Sequence, residues 1–348
     1  MPLLTYGQAI WQALDECLGR DPAVYLCGLG APDPKGIFGT TLGLAERHGA
    51  QRVWDMPTSE NALTGVAIGA ALAGMRPVMC HQRLDFALLA MEELVNQAAN
   101  WHFMYGGRMR VPLTVRLILG RGWGQGPQHS QHLQAWFAHV PGLKVVMPTT
   151  PHDAKGLLIA AIEDDNPVIF LEHRWLHRIS GEVPAGRYTV PIGAARVARP
   201  GRDLTIAAIS YMTLEALRAA EALAAEGVEA EVIDLRSLKP WDRALVGQSV
   251  ARTGALLVAD TGWKTAGFAA EVVAAMVEDH FAALRHPPAR VTLPDCPTPT
   301  APALAAAYYP RAVDIAAAAR RMLGRPAVDP PAPAGPLDVP DPGFTGPF

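Results

Sequence analysis

Short, almost wholly apolar segments recur along this chain and alternate with segments of helical periodicity. AVYLCG, RPVMC, VPLTVRLIL and NPVIFL are examples in the first half, and LTIAAI and GALLVA in the second. Strands that lack polar alternation are buried on both faces, and strands that alternate with helices form parallel sheets. The sequence therefore predicts an α/β fold in which doubly wound parallel sheets are covered by helices on both faces.

A polar connection rich in Gly and Pro divides the alternating pattern into two parts. A length of 348 residues also fits two ordinary domains. We predict a first α/β domain over residues 1–190 and a second over residues 191–323. Residues 324–348 are too rich in proline to build a core. They predict either disorder or an extended arm that docks on a partner through Phe344 and Phe348.

Composition and charge exclude several classes of protein. The net charge is −3 and the basic residues are scattered, which argues against nucleic-acid binding. The longest apolar runs are too short to span a bilayer, and the first residues lack the features of a signal peptide. The four cysteines are isolated, without metal-ligand or redox-motif spacing. We therefore expect a protein of the reducing cytoplasm without a membrane partner.

The stretch MPTSENALTG places a carboxylate, Glu60, where a long apolar segment begins. A carboxylate in the first turn of a helix is stabilised by the helix dipole by ~0.3–1 kcal/mol. Thr58 or Ser59 would then be the cap. The alternative is catalysis, because ligands of open parallel sheets bind beyond the carboxyl ends of the strands. The local sequence allows both interpretations.

Two further polar stretches, CHQRLDF and GRGWGQGPQHSQH, also follow predicted strands. Arg83 follows a buried strand and must reach solvent or meet an anion, with Asp85 as a candidate partner. His129 is either structural or functional, since glycine-rich loops that present polar side chains often carry function. His132 lies three residues further on, and the pair predicts proton handling or anion binding rather than zinc ligation. Phosphate-loop, dinucleotide and hydrolase motifs are missing.

These stretches together resemble a known family. It is the β subunit of the thiamine diphosphate-dependent decarboxylating component of 2-oxoacid dehydrogenases, of the pyruvate and branched-chain type, in the transketolase-like superfamily. The resemblance extends to Leu323 and implies a pyrimidine-binding domain followed by a transketolase C-terminal-like domain. The most specific stretches are MPTSENALTGVAIGAALAGMRPV, LVNQAAN, HSQHLQAWFAHVPGLKVVMPTTPHDAKGLL and AAIEDDNPVIFLEH. The second domain matches through VIDLRSLKPWD and GFAAEV.

The resemblance implies roles for individual residues. Glu60 matches the carboxylate that hydrogen-bonds the aminopyrimidine of the cofactor and so promotes loss of the thiazolium proton. Phe86 matches the aromatic residue that stacks on the pyrimidine. Gln82 and His129 match polar positions of the active site, and Thr58 matches a residue whose backbone lies against the cofactor.

The resemblance also implies ions and partners. Magnesium ligands and the diphosphate-binding domain belong to an α subunit, so an α2β2 assembly is expected, with a lipoyl acyltransferase as a further candidate partner. A potassium ion would be held mainly by backbone carbonyls. The matching carbonyls are those of Val111, Leu113, Thr114, Ala161, Asp164 and Asn166.

Three departures from the family pattern leave the substrate open. Leu29 stands where the family has a glutamate, His81 and Arg83 replace apolar residues, and His132 is added. A more cationic pocket would suit a phosphate or an extra carboxylate. Decarboxylation of a 2-oxoacid with transfer of the acyl unit is the favoured function. Ketol transfer on a phosphorylated or acidic sugar, as in two-subunit transketolases, is the alternative, and a non-catalytic scaffold subunit is a third hypothesis.

Overall fold

The chain was analysed as a computed structural model that describes residues 1–122, 125–328 and 338–340. The described part divides into two compact units. The first comprises residues 1–122 and 128–192, and the second comprises residues 193–328 together with 125–127 and 338–340. Both units are α/β, with mostly parallel sheets, which confirms the predicted fold class. Phe344 and Phe348 lie outside the described residues. Among those described, no helix is long and apolar enough to cross a membrane.

The sheet of the first unit is parallel and almost completely buried. Its strands lie in the order β6-β7-β5-β4-β2-β3, and each neighbouring pair is parallel. Two short strands, β1 and β8, pair antiparallel beside it. The strands are β1 Leu3–Thr5, β2 Val24–Gly28, β3 Val53–Trp54, β4 Arg76–His81, β5 Thr114–Leu119, β6 Lys144–Val146, β7 Val168–His173 and β8 Ser180–Glu182.

Helices cover this sheet, and their first residues explain where they start. The first helix begins at a capping box formed by Thr5 and Gln8, and the last begins at a Thr150 cap followed by Pro151. These two helices pack against each other. The helices are α1 Tyr6–Arg20, α2 Gly36–Gly39, α3 Leu44–His48, α4 Glu60–Leu72, α5 Ala99–Met104, α6 Gln134–His139 and α7 Pro151–Glu163, with short 3-10 turns at Pro127–His129 and Arg174–Leu176.

Residues 84–105, which the periodicity predicts as one long helix, differ from that prediction. The segment begins as a 3-10 helix over Leu84–Ala90, continues as a π-helix over Glu93–Ala98 and becomes α-helical only in α5. The side-chain amide of Asn100 donates to the carbonyls of Val95 and Asn96 and so satisfies part of the widened turn. Apolar spacing indicates a helix but does not distinguish the hydrogen-bonding patterns of 3-10, π and α helices. π-Segments are frequent at functional sites.

The second unit has a sheet in the order β14-β13-β10-β11-β9, in which only the edge strand β9 is antiparallel among the described pairs. β9 lies in the connection that the sequence predicts as irregular. An apolar cluster lies between the central strands and helices α8 and α12. The elements are β9 Arg196–Arg199, β10 Leu204–Ala208, α8 Tyr211–Ala224, β11 Ala230–Asp234, β12 Ser237–Lys239, α9 Arg243–Thr253, β13 Leu256–Trp263, α10 Phe268–His280, a 3-10 turn Phe281–Ala283, β14 Ala289–Leu293, α11 Pro302–Tyr308 and α12 Ala312–Met322.

Candidate functional site

Glu60 is the first residue of helix α4, and its side chain is buried, with 7% of its surface exposed. The preceding Ser59 is the N-cap residue, but its side chain makes no capping hydrogen bond. The backbone carbonyl of Glu60 accepts a hydrogen bond from the Thr64 hydroxyl. Within the described residues, the Glu60 carboxylate has no hydrogen bond and no ion pair. Thr58, two residues earlier, is exposed.

The 3-10 segment Leu84–Ala90 packs against helix α4, so Phe86 belongs to the element beside the one that carries Glu60. Phe86 is half-buried, and the imidazole of His129 meets it edge-on with ring centroids 5.6 Å apart. The residues predicted as cofactor-stacking and active-site polar groups are thus in contact, although 43 positions separate them in the sequence.

Asp85 and Gln131 form a second link between these segments. The Asp85 carboxylate accepts hydrogen bonds from the backbone N–H of Gln131 at 3.3 Å and from its side-chain amide at 3.0 Å. Arg83 is half-buried, and burial lowers the pKa of its guanidinium while Asp85 opposes this shift. Asp85 therefore fixes the histidine-bearing loop as well as acting electrostatically on Arg83, a role that the sequence did not indicate.

His81 and His132 do not supply the positive charge that their positions in the sequence predict for the pocket. Both are 3% exposed. Burial lowers the pKa of His81 to about 4, and burial together with the charge of Arg174 lowers the pKa of His132 to about 3. Both imidazoles are therefore neutral near pH 7. His132 lies against His173, with ring centroids 5.4 Å apart.

The loop that follows β2 is held by two hydrogen bonds. The side-chain amide of Gln82 donates to the carbonyl of Leu29 at 2.7 Å, and the Gly30 N–H donates to the Asp55 carboxylate at 2.8 Å. Gly30 has a φ of +75°, and a Cβ here would approach Asp33 and Gln82 to 2.9 Å. Leu29, the departure from the family's glutamate, thus still contacts Gln82, but through its backbone.

A fully buried ion pair between the neighbouring interior strands β5 and β7 was not predicted from the sequence. Arg116 on β5 binds both carboxylate oxygens of Glu172 on β7, at 2.6 and 2.9 Å, and also donates to the Thr40 hydroxyl. His177 Nε2 lies 3.4 Å from the same carboxylate. Although burial alone would raise it, Arg116 and His177 lower the pKa of Glu172 to about 2. The sequence feature that could have indicated this pair is the presence of opposite charges, Arg116 and Glu172, inside two otherwise apolar strands.

At the predicted potassium site, several carbonyls already accept hydrogen bonds, whereas one side-chain oxygen accepts none. The carbonyl of Asp164 accepts from Arg76, that of Ala161 accepts from the Asp164 N–H, and that of Leu113 accepts from the Val168 N–H. Val111 and Thr114 are buried beside Leu113. The side-chain oxygen of Asn166 is buried and has no hydrogen-bond partner within the described residues. Across the same described residues, no group of three or more His, Cys, Asp or Glu side chains could hold a metal ion.

Comparisons with known proteins agree with this architecture. The transketolase pyrimidine-binding domain matches residues 3–179, and the transketolase C-terminal domain matches residues 193–315. The β subunit of acetoin:2,6-dichlorophenolindophenol oxidoreductase from Cupriavidus necator is 43% identical over 92% of this chain and 97% of that protein. The mitochondrial pyruvate dehydrogenase E1 component subunit beta-1 of Oryza sativa subsp. japonica is 41% identical over 92% of this chain and 87% of that protein.

A solved structure is also similar. It is described as a split gene transketolase, inactive beta4 tetramer, and it aligns with a TM-score of 0.76 at 25% identity over 92% of this chain and 98% of that one. Two domain matches in the expected order and relatives above 40% identity over nearly the whole chain establish the family. The chain belongs to the transketolase-like family of thiamine diphosphate-dependent enzymes, among the β subunits of the pyruvate dehydrogenase and acetoin dehydrogenase type.

Proposed function

We propose that Glu60 is the catalytic carboxylate of a thiamine diphosphate site in an enzyme that decarboxylates a 2-oxoacid and passes on the acyl unit. The observation that carries this proposal is the buried Glu60 carboxylate, which has no polar partner within the described residues. A carboxylate that uses none of its acceptor capacity within the described chain is free to accept a hydrogen bond from a donor on a ligand.

The neighbouring residues fit the aminopyrimidine half of this cofactor. Phe86 offers a half-buried ring face, Gln82 offers an amide, and exposed Thr58 offers backbone immediately before the helix. When bound, thiamine diphosphate supplies the nucleophilic carbon and the electron sink of the reaction. The Glu60 carboxylate would accept a hydrogen bond from the pyrimidine, and burial of the site would strengthen that hydrogen bond. His129 would hold or deliver a proton at the substrate side.

The remaining half of the site is proposed to come from a partner chain. Relatives at 38–43% identity are named as β subunits, which implies an α subunit. We propose an α2β2 assembly in which the α subunit holds the diphosphate and its Mg²⁺, with a lipoyl acyltransferase as acceptor. Bacterial relatives and the four free cysteines, Cys17, Cys27, Cys80 and Cys296, support a cytoplasmic location.

A potassium ion at the turn between α7 and β7 is part of the proposal. The buried, unpartnered side-chain oxygen of Asn166 and the carbonyls of Leu113, Ala161 and Asp164 fit a monovalent cation, because each carbonyl has a second lone pair. Val111 and Thr114 would complete the carbonyl set. Replacing K⁺ by a bulky organic cation at constant ionic strength should lower the midpoint of thermal unfolding, and an unchanged midpoint would contradict this site.

Ketol chemistry is the second candidate function. The likeness to a split gene transketolase and the identity to an acetoin-acting relative favour it. The discriminating experiment is to co-purify this chain with its α partner, add thiamine diphosphate and Mg²⁺, and follow reduction of an artificial acceptor. Turnover of a 2-oxoacid is the expected result. Turnover of ketose phosphates or acetoin alone would move the assignment to ketol chemistry, and no turnover of any of them would favour a scaffold subunit.

A further inference from the structure

A cavity of about 680 Å³ lies in the first unit where the start of α1, the loop after β2 and the end of the Arg174–Leu176 turn come together. Its volume lies within the ~300–1,000 Å³ range of small-molecule sites. Gln82, the proposed cofactor residue, lines one part of the wall. Lys35, His177 and Arg178 line another part, and the proposed mechanism uses none of these three.

The charges around the cavity favour an anion. Lys35 and Arg178 are exposed, and their side chains form no hydrogen bond or ion pair with the described residues. Asp33 is the carboxylate among the described lining residues, so two cations face one acid. The first turn of the 15-residue helix α1, which also lines the cavity, contains no acidic residue, and the helix dipole adds to the positive potential there.

His177 gives this cavity a fixed polar group. The side chain is 5% exposed, lies 5.7 Å from the ring of Tyr6 in a stacked arrangement and meets Phe38 edge-on at 6.4 Å. Its Nδ1 has no hydrogen-bond partner within the described residues. Nε2 lies 3.4 Å from the Glu172 carboxylate without a hydrogen bond to it, so the ring is held by its contacts with Tyr6 and Phe38. A buried, oriented and unpartnered imidazole nitrogen is suited to a ligand oxygen.

The short segment α2, which lines the cavity, contains residues in an uncommon, non-helical conformation. Phe38, a lining residue, has a φ of +57°, and the neighbouring Gly36 has a φ of +41°, where a Cβ would meet the backbone of Leu42 at 2.5 Å. The Phe38 ring also lies under the guanidinium of Arg174, at 5.6 Å. Left-handed conformations of non-glycine residues cost free energy and cluster at ligand sites. Residues with strained backbone therefore line this cavity.

We propose that this cavity binds the oxyanion, a phosphate or a carboxylate, carried by the reactant that meets the cofactor, with Lys35, Arg178 and His177 as its recognition residues. This proposal rests on the proposed function only where it identifies the molecule that carries the oxyanion as a reactant. Gln82 links the two regions, since it lines the cavity and also holds the Leu29 carbonyl of the loop beside the proposed cofactor site. Guanidinium and ammonium groups are the usual partners of phosphate and carboxylate.

Binding of the oxyanion can be measured without turnover or cofactor, so its failure is separable from failure of the proposed reaction. Isothermal titration of the full chain with inorganic phosphate, and separately with acetate, is performed at constant ionic strength. We expect saturable binding of at least one anion. The double substitution Lys35→Gln with Arg178→Gln should weaken that binding at least tenfold. Both residues are exposed, so the fold should persist, which circular dichroism checks.

A matched control removes two positive charges elsewhere, by Arg202→Gln with Lys264→Gln, both exposed and both in the second unit. This variant should bind as the unmodified chain does. Binding of phosphate alone identifies a phosphorylated reactant, and binding of acetate alone identifies an organic acid. Absence of saturable binding of both anions, or equal loss in the control variant, would overturn the proposal. His177→Asn should also weaken binding, and unchanged affinity there would exclude its assigned role.

Discussion

The imidazole of His129 meets the phenyl ring of Phe86 edge-on, with ring centroids 5.6 Å apart and ring planes at 86°. This contact joins the loop after β5 to the 3-10 segment after β4, two places at the same edge of a parallel sheet. An edge-to-face aromatic contact of this kind contributes ~0.5–1.5 kcal/mol beyond buried area. The contact between the two rings thereby holds these two segments together.

Phe86→Ala should weaken binding of thiamine diphosphate to the α–β complex about tenfold, because about 1.4 kcal/mol of stacking corresponds to that factor. The dissociation constant can be followed by quenching of intrinsic tryptophan fluorescence. Phe86→Tyr keeps the ring face and serves as the control, with an affinity close to that of the unmodified complex. Equal affinities of the Ala and Tyr variants would show that Phe86 does not contact the cofactor.

Removing one partner of the buried Arg116–Glu172 pair should destabilise the chain strongly. Glu172→Gln leaves the Arg116 guanidinium buried without its charge partner, which costs about 3–5 kcal/mol in the free energy of unfolding. Urea denaturation measures this loss. Asp279→Asn breaks the exposed pair with Arg243 and should cause a much smaller change. Similar losses in the two variants would contradict the buried, bidentate geometry.

The buried histidines predict a loss of stability in mild acid. The folded pKa values of His81 and His132, about 4 and about 3, lie below the value of about 6.5 for an unfolded histidine. Between these limits the unfolded chain binds more protons, so stability falls as pH falls below 6.5. At pH 5 each histidine should cost about 2 kcal/mol relative to pH 7.5, at ~1.4 kcal/mol per pH unit.

The free energy of unfolding measured from pH 7.5 to pH 5 tests this dependence. His81→Gln removes one titrating group, so its stability should fall less steeply with pH than that of the unmodified chain, whatever its absolute stability. Parallel curves for the two proteins would mean that His81 is accessible to protons in the folded state.

The described part of the C-terminal tail contacts its own unit. The guanidinium of Arg311, which also donates to the Tyr211 hydroxyl, donates to the carbonyl of Val339 at 2.6 Å. Truncation after Arg325 should therefore lower the unfolding free energy by about 1.5 kcal/mol, the magnitude of a hydrogen bond to a charged group. Truncation after Pro340 keeps the contact and is the control. If both truncated chains unfold alike, the Arg311 contact does not stabilise the fold.

The sequence predicted the sheet-based architecture and the elements around Glu60, because continuous apolar strands and helix start signals are local features. The family resemblance implied that Phe86 and His129 belong to one active site, and the structure brings their rings into contact. The sequence did not predict the breakdown of residues 84–105 into 3-10, π and α segments. The hydrogen-bonding pattern of each segment depends on tertiary packing and on side chains such as Asn100, whose amide donates to a carbonyl of the π-helical turn.

Two aspects of the site needed three-dimensional information. The neutrality of His81 and His132 follows from complete burial, which neighbours distant in sequence create. The cavity of Lys35, His177 and Arg178 joins segments that are more than 140 positions apart. The signal for His177 was nevertheless present, as HRWLH follows the carboxyl end of an apolar strand, the position where ligands of parallel sheets bind.

The substitution Glu60→Gln tests most directly whether the unpartnered carboxylate of Glu60 activates the cofactor. In the α–β complex loaded with thiamine diphosphate and Mg²⁺, the rate of hydrogen–deuterium exchange at the thiazolium carbon is measured after acid quench. Loss of a proton-transfer contact costs ~10²–10⁴-fold, so exchange should slow at least a hundredfold. Glu92→Gln, an exposed carboxylate in the helical segment after Phe86, should exchange normally. Undiminished exchange in the Glu60→Gln complex would contradict this role of Glu60.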